Sequence, residues 1–381
     1  MATTFEPTQS LPAQPAASLP SLTTQPAASL PSLTPAAVLA DLRTSLSAGD
    51  GPSVARCLAS LAALAKNPSL RPVCTAEGAV GAAVQALATH GSLASVAESS
   101  CRVLEELAAN NVPVKEQCLA AGAYPLVTAL LATHATEALV LQSACNALRN
   151  FSGKFQPGKA ACLAAGALPA LHTVLLAHTP SLPVAEAACY AIRNIVSSSE
   201  GKGGQEQCLA LGVPGAVLAF LAAHPTSPAA MDVACRVCEG LVADFPAGKA
   251  AFVAAGALPA LAAALRVHGA SAALGDSACC ALANLCSSGP TGQGGEGTAE
   301  LAGAILGSLA AHPNTALLAE NACRALVKLA RHQAGHRQHM LDTGLVPQLV
   351  YIAGTHYGKP RAYAQEALGL LGYTNTGLLK P

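Results

Sequence analysis

The stretch QPGKAACLAAGALPALHTVLLAHTPSLPVAEAACYAIRNIVSS, residues 156–198, decides the fold of this chain. A short helix, about Lys159 to Ala165, ends at Gly166, whose missing Cβ permits a tight turn. A second helix closes near His178, and a third helix runs from about Val184 to Val196. The stretch therefore predicts a unit of three helices.

The same pattern recurs along the chain in a fixed register. One set of cysteines is spaced by 44 residues with a single step of 46, and a set of histidines precedes it by 11 residues throughout. The two extra residues fall within the Ser/Gly-rich stretch Ser197–Gly204, where an insertion changes the loop-closure entropy little. Eight units of about 44 residues therefore tile residues 36–381. The register positions are Cys57, Cys101, Cys145, Cys189, Cys235, Cys279, Cys323 and Ala367; Cys74, Cys118, Cys162, Cys208 and Phe252; and His90, His134, His178, His224, His268, His312 and His356.

Two parts of the chain depart from this register. Residues 1–35 are rich in proline, serine and alanine and contain QPAASLPSLT twice, which predicts a disordered tail that acts as a spacer, with a proline-motif ligand as the alternative. Between Cys286 and Glu300 a glycine-rich sequence replaces the first helix of its unit, and we expect the stack to be weakest there.

Composition limits the classes of partner. The 381 residues are 52% hydrophobic and 11% charged, and 21 basic side chains balance 21 acidic ones. This balance predicts no nucleic-acid partner, because no net field attracts a polyanion. Two uncharged stretches, Lys159 to Glu186 and Glu206 to Asp232, are long enough to span a bilayer, but glycine and proline interrupt both. We therefore expect no membrane insertion.

The third helices carry a family resemblance. The sequences SACNALRN at 143–150, AACYAIRN at 187–194 and SACCALAN at 277–284 resemble the last helix of the armadillo repeat, and the resemblance covers about nine-tenths of the chain. The histidine that closes the second helix is similar to that in repeats of the type found in armadillo repeat-containing protein 6. The resemblance implies an all-α, right-handed superhelical solenoid of about eight repeats over residues 36–381, with the third helices lining a concave groove.

In that family, an aromatic residue and an asparagine one turn apart on the third helix bind an extended peptide. Three asparagines occupy the matching row here, Asn150, Asn194 and Asn284, but the aromatic row keeps only Tyr190. This difference speaks against a nuclear-import-type adaptor, which remains the alternative. Basic side chains stand in or beside the two rows, so we expect an extended protein or peptide partner with carboxylates, unless these residues merely form solvated helix faces. The predicted groove residues are Arg102, Asn146, Arg149, Asn150, Tyr190, Arg193, Asn194, Arg236, Asn284, Arg324 and Lys328.

The 14 cysteines and 11 histidines also suggest metal or thiol chemistry. Equivalent residues lie about 10 Å apart on neighbouring layers, however, which is too far for one zinc ion. We expect the register cysteines to be small core residues and the histidines to cap the carbonyl end of the second helix. The pair Cys235 and Cys238 falls on one third helix, and His332 is expected in a loop, with His336 and His339 at the surface.

No general acid/base pair or nucleophile arrangement stands out in the sequence. The expected protein is a non-catalytic, monomeric interaction scaffold that uses no cofactor and no metal, in the cytoplasm or also in the nucleus. A thiol- or metal-dependent enzyme is the least favoured alternative.

Overall fold

The computed structural model describes residues 34–197, 202–286, 295–332 and 334–373, without the side chains of 295–298 and 332–336. Within these ranges the chain forms 22 α-helices and no strand. In chain order the helices are α1 Pro35–Ala48, α2 Gly51–Ala65, α3 Arg71–Ala76, α4 Ala79–His90, α5 Ala94–Ala108, α6 Val112–Ala120, α7 Ala123–Thr133, α8 Ala138–Ser152, α9 Gln156–Ala164, α10 Ala167–Ala177, α11 Leu182–Val196, α12 Gly203–Leu211, α13 Val213–Ala223, α14 Pro228–Val242, α15 Pro246–Ala254, α16 Ala257–His268, α17 Ala272–Leu285, α18 Gly295–Ala311, α19 Ala316–His332, α20 Ala334–Asp342, α21 Val346–Thr355 and α22 Lys359–Leu370.

The helices repeat as a short first helix, a second helix and a longer third helix. The first three-helix repeat is α3 to α5, and the pattern continues through α17; α1 and α2 precede it as a second and a third helix. Each third helix packs against the third helices before and after it, as α8 packs between α5 and α11. The predicted all-α solenoid is thus confirmed.

A glycine with a left-handed backbone separates first and second helices. Gly78, Gly122, Gly166, Gly212, Gly256 and Gly344 have φ between 72° and 89°. A Cβ on Gly166 would meet no atom within 4 Å, so the backbone conformation rather than space selects glycine here. The one unit with Glu300 at this position has no such turn, and α18 continues through it. From Gly295 onward the structure therefore replaces the expected glycine-rich loop with helix; residues 287–294 lie outside the described part.

The register cysteines are core residues, as expected. Six of the first set are fully buried on third helices, and Cys57 is the half-buried exception. The four cysteines of the second set are also fully buried, and Phe252 is buried at their fifth position. Small side chains at these positions allow the helices to approach closely, since cysteine packs as a small hydrophobe.

The register histidines connect consecutive repeats. From the second one onward, the Nε2 atom of each ring lies 2.7–3.2 Å from a backbone carbonyl oxygen of the preceding repeat, one residue past that repeat's own histidine. A carbonyl oxygen only accepts, so Nε2 carries the proton. The histidines therefore cap second helices as expected, but those of the neighbouring repeat. The pairs are His134 with Gly91, His178 with Ala135, His224 with Thr179, His268 with Pro225, His312 with Gly269 and His356 with Pro313.

Three further sequence predictions concern the N-terminal tail, His332 and membrane insertion. The proposed tail lies outside the described residues except for its last two, and Pro35 already begins α1. His332 ends α19 and is not in a loop, because the helix continues to that residue. In the described ranges, no single helix is both long enough and apolar enough to cross a bilayer. Three pairs of neighbouring helices meet these two criteria when each pair is taken together, and the helices of each pair are bent by 63–73° relative to each other.

We expect His134→Ala to lower the free energy of unfolding by about 1 kcal/mol, because it leaves the Gly91 carbonyl without its donor. His134→Gln should retain most of the stability, since its amide nitrogen can replace Nε2. Urea unfolding followed by circular dichroism measures both, with His172→Ala as the histidine control on α10. Equal loss in the alanine and glutamine variants would contradict this role for the hydrogen bond.

Candidate functional site

Most of the predicted groove residues line two hollows on the face formed by the third helices. The first hollow, about 640 Å³, is lined by six of them: Arg149, Asn150, Tyr190, Arg193, Asn194 and Arg236. The second hollow, about 570 Å³, is lined by Asn284, Arg324 and Lys328. Arg102 and Asn146 line neither hollow; Arg102 pairs with Glu98 on its own helix at 3.1 Å.

Two of the asparagines are hydrogen-bonded to the preceding repeat. Asn150 Nδ2 donates to the Glu105 carbonyl at 2.9 Å, and Asn194 Nδ2 donates to the Arg149 carbonyl at 2.9 Å. Both carbonyls belong to the last turn of a third helix, and the Arg149 carbonyl also accepts from the Gly153 N–H at 3.1 Å. The amides that the family resemblance assigns to a peptide thus hold adjacent repeats together, and only part of each amide faces the hollow.

A row of basic residues on the first helices was missed by the sequence reasoning. Lys115 and Lys159 are 4% and 5% exposed, and their ammonium groups donate to the Gly153 and Ser197 carbonyls at the ends of α8 and α11. Both lysines line the first hollow. Burial lowers the pKa of each lysine. The signal was present in the sequence, because the row has the same register as the cysteines and is basic at five of its seven positions. These positions are Arg71, Lys115, Lys159, Gln205, Lys249, Gln293 and Arg337.

The arginines of the first hollow are held by neighbouring groups. The Arg149 guanidinium lies 4.4 Å above the centre of the Tyr190 ring, and the Tyr190 hydroxyl donates to Asp232 at 3.0 Å. Arg236 Nε donates to the same carboxylate at 2.7 Å. Arg193 Nη1 donates to the Asn194 side-chain oxygen at 3.0 Å. The guanidinium groups are therefore positioned before any ligand arrives.

Three partly buried carboxylates act on these arginines from the third helices. Burial raises the pKa of Glu105 to about 7, and it also raises the pKa of Glu186 and Glu239. Glu105 and Glu186 interact electrostatically with Arg149, and Glu239 interacts with Arg193. None of the three carboxylates lines either hollow. With a pKa of about 7, Glu105 carries only part of its negative charge at neutral pH.

The second hollow has a more mixed lining. Arg331 pairs with Glu366, and Arg324 Nη2 donates to Cys280 Sγ at 3.4 Å. Arg324 Nε is buried and has no hydrogen-bond partner among the described residues. The lining valines are buried, but the exposed Ala243 and the half-buried Tyr363 add apolar surface, so this hollow combines charged and apolar side chains.

The cysteines are separate, reduced side chains. All 14 are free thiols, and Cys235 and Cys238 of the CxxC pair are both buried on α14. Burial raises the pKa of Cys145 and Cys162 to about 12 and that of Cys280 to about 11. Among the described residues, no group of three or more His, Cys, Asp or Glu side chains could hold a metal ion.

Comparisons with known proteins show the fold alone. The chain is similar to an engineered protein whose crystal structure was determined by the Northeast Structural Genomics Consortium, with a TM-score of 0.60 and 18% identity over 88% of each chain. A second engineered protein from the same consortium gives a TM-score of 0.54 and 19% identity over 65% of this chain and 96% of the other. No protein-family model and no curated protein matches the chain.

The raised pKa of Glu105 predicts a pH-dependent stability. The folded state holds the Glu105 proton up to about pH 7, while the unfolded chain releases it near 4.5, so the free energy of unfolding falls as pH rises between these values. Glu105→Gln removes the buried charge and should stabilise the fold by about 1 to 2 kcal/mol at pH 8 and have little effect at pH 4. Denaturant titrations at both pH values test this, with exposed Glu116→Gln as the control. A pH-independent effect of Glu105→Gln would contradict it.

Thiol accessibility gives a second prediction. Cys57 and Cys280 are the only cysteines that are not fully buried, so at most these two should react quickly with a thiol reagent in the folded protein. All 14 should react in denaturant. Mass spectrometry after timed labelling identifies the modified residues, and fast labelling of Cys145 or Cys189 in the native state would contradict the buried assignment.

Proposed function

We propose that this protein is a non-catalytic interaction scaffold that binds an extended, acidic segment of a partner protein along its third-helix face. The observation that carries the proposal is the distribution of charge. The first hollow is lined by six basic side chains and one carboxylate, and the second by four basic side chains and two carboxylates. Together these are ten of the 21 basic residues in the chain, against three of its 21 acidic ones.

Helical repeat folds are suited to this role because stacked repeats present one long continuous surface. Arginine pairs bidentately with carboxylates, and the arginines here are already positioned by their neighbours. The repeats are, in this proposal, armadillo repeats, as the third-helix sequences and the glycine turn suggest. The concave side of the superhelix would be the third-helix face.

The same charges disfavour the alternative of a nuclear-import-type adaptor, whose lysine-rich ligands would be repelled by both hollows. We further propose a monomer in the cytoplasm, or also in the nucleus, that acts without a cofactor or metal. The thiol- or metal-dependent enzyme remains the least favoured reading.

Lys154 provides a sharp test of the proposed function. It lines the first hollow, is exposed, and has φ 51° in the turn between α8 and α9. At the equivalent turns, Asn110 and Asp244 adopt φ 53° and 47°. Lys154→Asn and Lys154→Asp therefore remove or reverse the charge without straining the backbone, because both residue types already occupy this conformation in the chain.

Fluorescence anisotropy with a labelled, glutamate-rich 16-residue peptide measures the effect. We expect Lys154→Asn to weaken binding roughly threefold and Lys154→Asp roughly tenfold, with both effects fading at high salt. Arg56→Gln, an exposed change on α2 outside both hollows, should leave the affinity unchanged. A lysine-rich peptide of equal length that binds as tightly as the acidic one would refute the proposal and favour the import-type adaptor.

A further inference from the structure

The first hollow differs from an ordinary peptide-binding surface in having no aliphatic side chain in its lining. Apart from Tyr190, which is covered by Arg149, its walls consist of charged residues, asparagines, one serine and one glycine. Protein ligands commonly place aromatic or apolar anchors in apolar pockets, and the lining of this hollow forms no such pocket. The second hollow offers the exposed Ala243 and the half-buried ring of Tyr363. The first hollow therefore suits a ligand that is itself wholly polar.

The lining of the first hollow concentrates positive charge. The six basic residues that line it are Lys115, Arg149, Lys154, Lys159, Arg193 and Arg236. The single carboxylate in the lining, Asp232, already accepts hydrogen bonds from Tyr190, Arg236 and Ser277 at 2.7–3.3 Å. It is thus committed within the protein, and the remaining positive charge faces an open cavity.

Two of the cations are buried, which is unfavourable without an anion nearby. Lys115 and Lys159 are 4% and 5% exposed, and within the described part of the chain each donates to one backbone carbonyl. An ammonium group has three donors, so with respect to these residues both lysines keep hydrogen-bonding capacity for a ligand. A bound anion would offset the desolvation cost of both buried ammonium groups. An exposed lysine carries no such cost and therefore gains less from binding an anion.

The size of the cavity and the geometry of its donors narrow the ligand further. A volume of about 640 Å³ is typical of small-molecule sites. Guanidinium groups bind phosphate bidentately, and a phosphoryl group carries up to two negative charges where a carboxylate carries one. We propose that the first hollow binds a compact polyphosphate, that is, a small molecule with several phosphoryl groups on a polar framework. This goes beyond the proposed function, because it assigns a second class of ligand.

Isothermal titration calorimetry at about 0.15 M salt tests the proposal, with inositol hexakisphosphate and inorganic triphosphate as the probes and sulfate as the simple anion. We expect one site on the full-length chain that binds inositol hexakisphosphate at least about 100-fold more tightly than sulfate. Lys154→Asn and Arg193→Gln should each weaken this binding roughly five- to tenfold.

The matched control is Lys328→Gln, which removes one charge from the second hollow and should change the affinity less than about twofold. Circular dichroism confirms that each variant is folded. Equal losses in Lys328→Gln and Lys154→Asn, or no preference for the polyphosphates over sulfate, would overturn the proposal, because either result means general attraction to a basic surface.

Two further binding measurements distinguish between the possible sources of the phosphate group. Sedimentation with vesicles that contain phosphatidylinositol bisphosphate tests a lipid headgroup, and a phosphoserine peptide tests a modified protein partner. Binding to either of these without binding to inositol hexakisphosphate would overturn the assignment to a free small molecule. The glutamate-rich peptide is measured separately, so loss of polyphosphate binding alone leaves the scaffold proposal standing.

Discussion

The structure depends on hydrogen bonds that close the carboxyl ends of its helices with side chains from elsewhere in the stack. Every helix leaves its last carbonyl groups without helical partners, and a solenoid of short helices has many such ends. Histidines close second helices, as His178 does across the repeat boundary, while Asn150 and Lys159 close third helices. Leucine, valine and alanine form most of the apolar core, which holds the layers together. Directional hydrogen bonds between repeats add to this packing by fixing how neighbouring repeats are aligned.

The same donors give the third-helix face its charge. Lysine at the end of a helix satisfies a carbonyl oxygen and also interacts favourably with the negative end of the helix dipole. When this device is repeated at Lys115 and Lys159, two buried cations face one cavity. Buried carboxylates such as Glu105 compensate weakly, since burial favours their neutral form. A balance of 21 basic and 21 acidic residues over the whole chain thus coexists with a strongly basic surface.

The sequence predicted those features that depend only on equivalent positions in the repeats. Spacing by 44 residues identifies equivalent positions, so the buried cysteines and the turn at Gly166 followed directly from it. The spacing does not tell which neighbouring repeat a side chain contacts. Whether His178 caps its own helix or the preceding one depends on the distance between layers, which no one-dimensional pattern contains. The family resemblance directed attention to the third helices, and Lys115 and Lys159 were missed because they lie on first helices.

One repeat departs from the register between the first and the second hollow. The repeat α12 to α14 has Gln205 where its neighbours have lysine, and Gly240 where they have asparagine. Gln205 Nε2 donates to the Gly240 carbonyl at 3.0 Å, and the Ala243 carbonyl accepts from both Gln205 Nε2 and Lys202 Nζ at 3.4 Å. The helix end remains satisfied, but its cation, Lys202, is exposed and lines neither hollow. Capping requires only a hydrogen-bond donor at the helix end of each repeat. A basic surface requires that this donor be a positively charged side chain. The chain keeps the donor and varies the residue that supplies it.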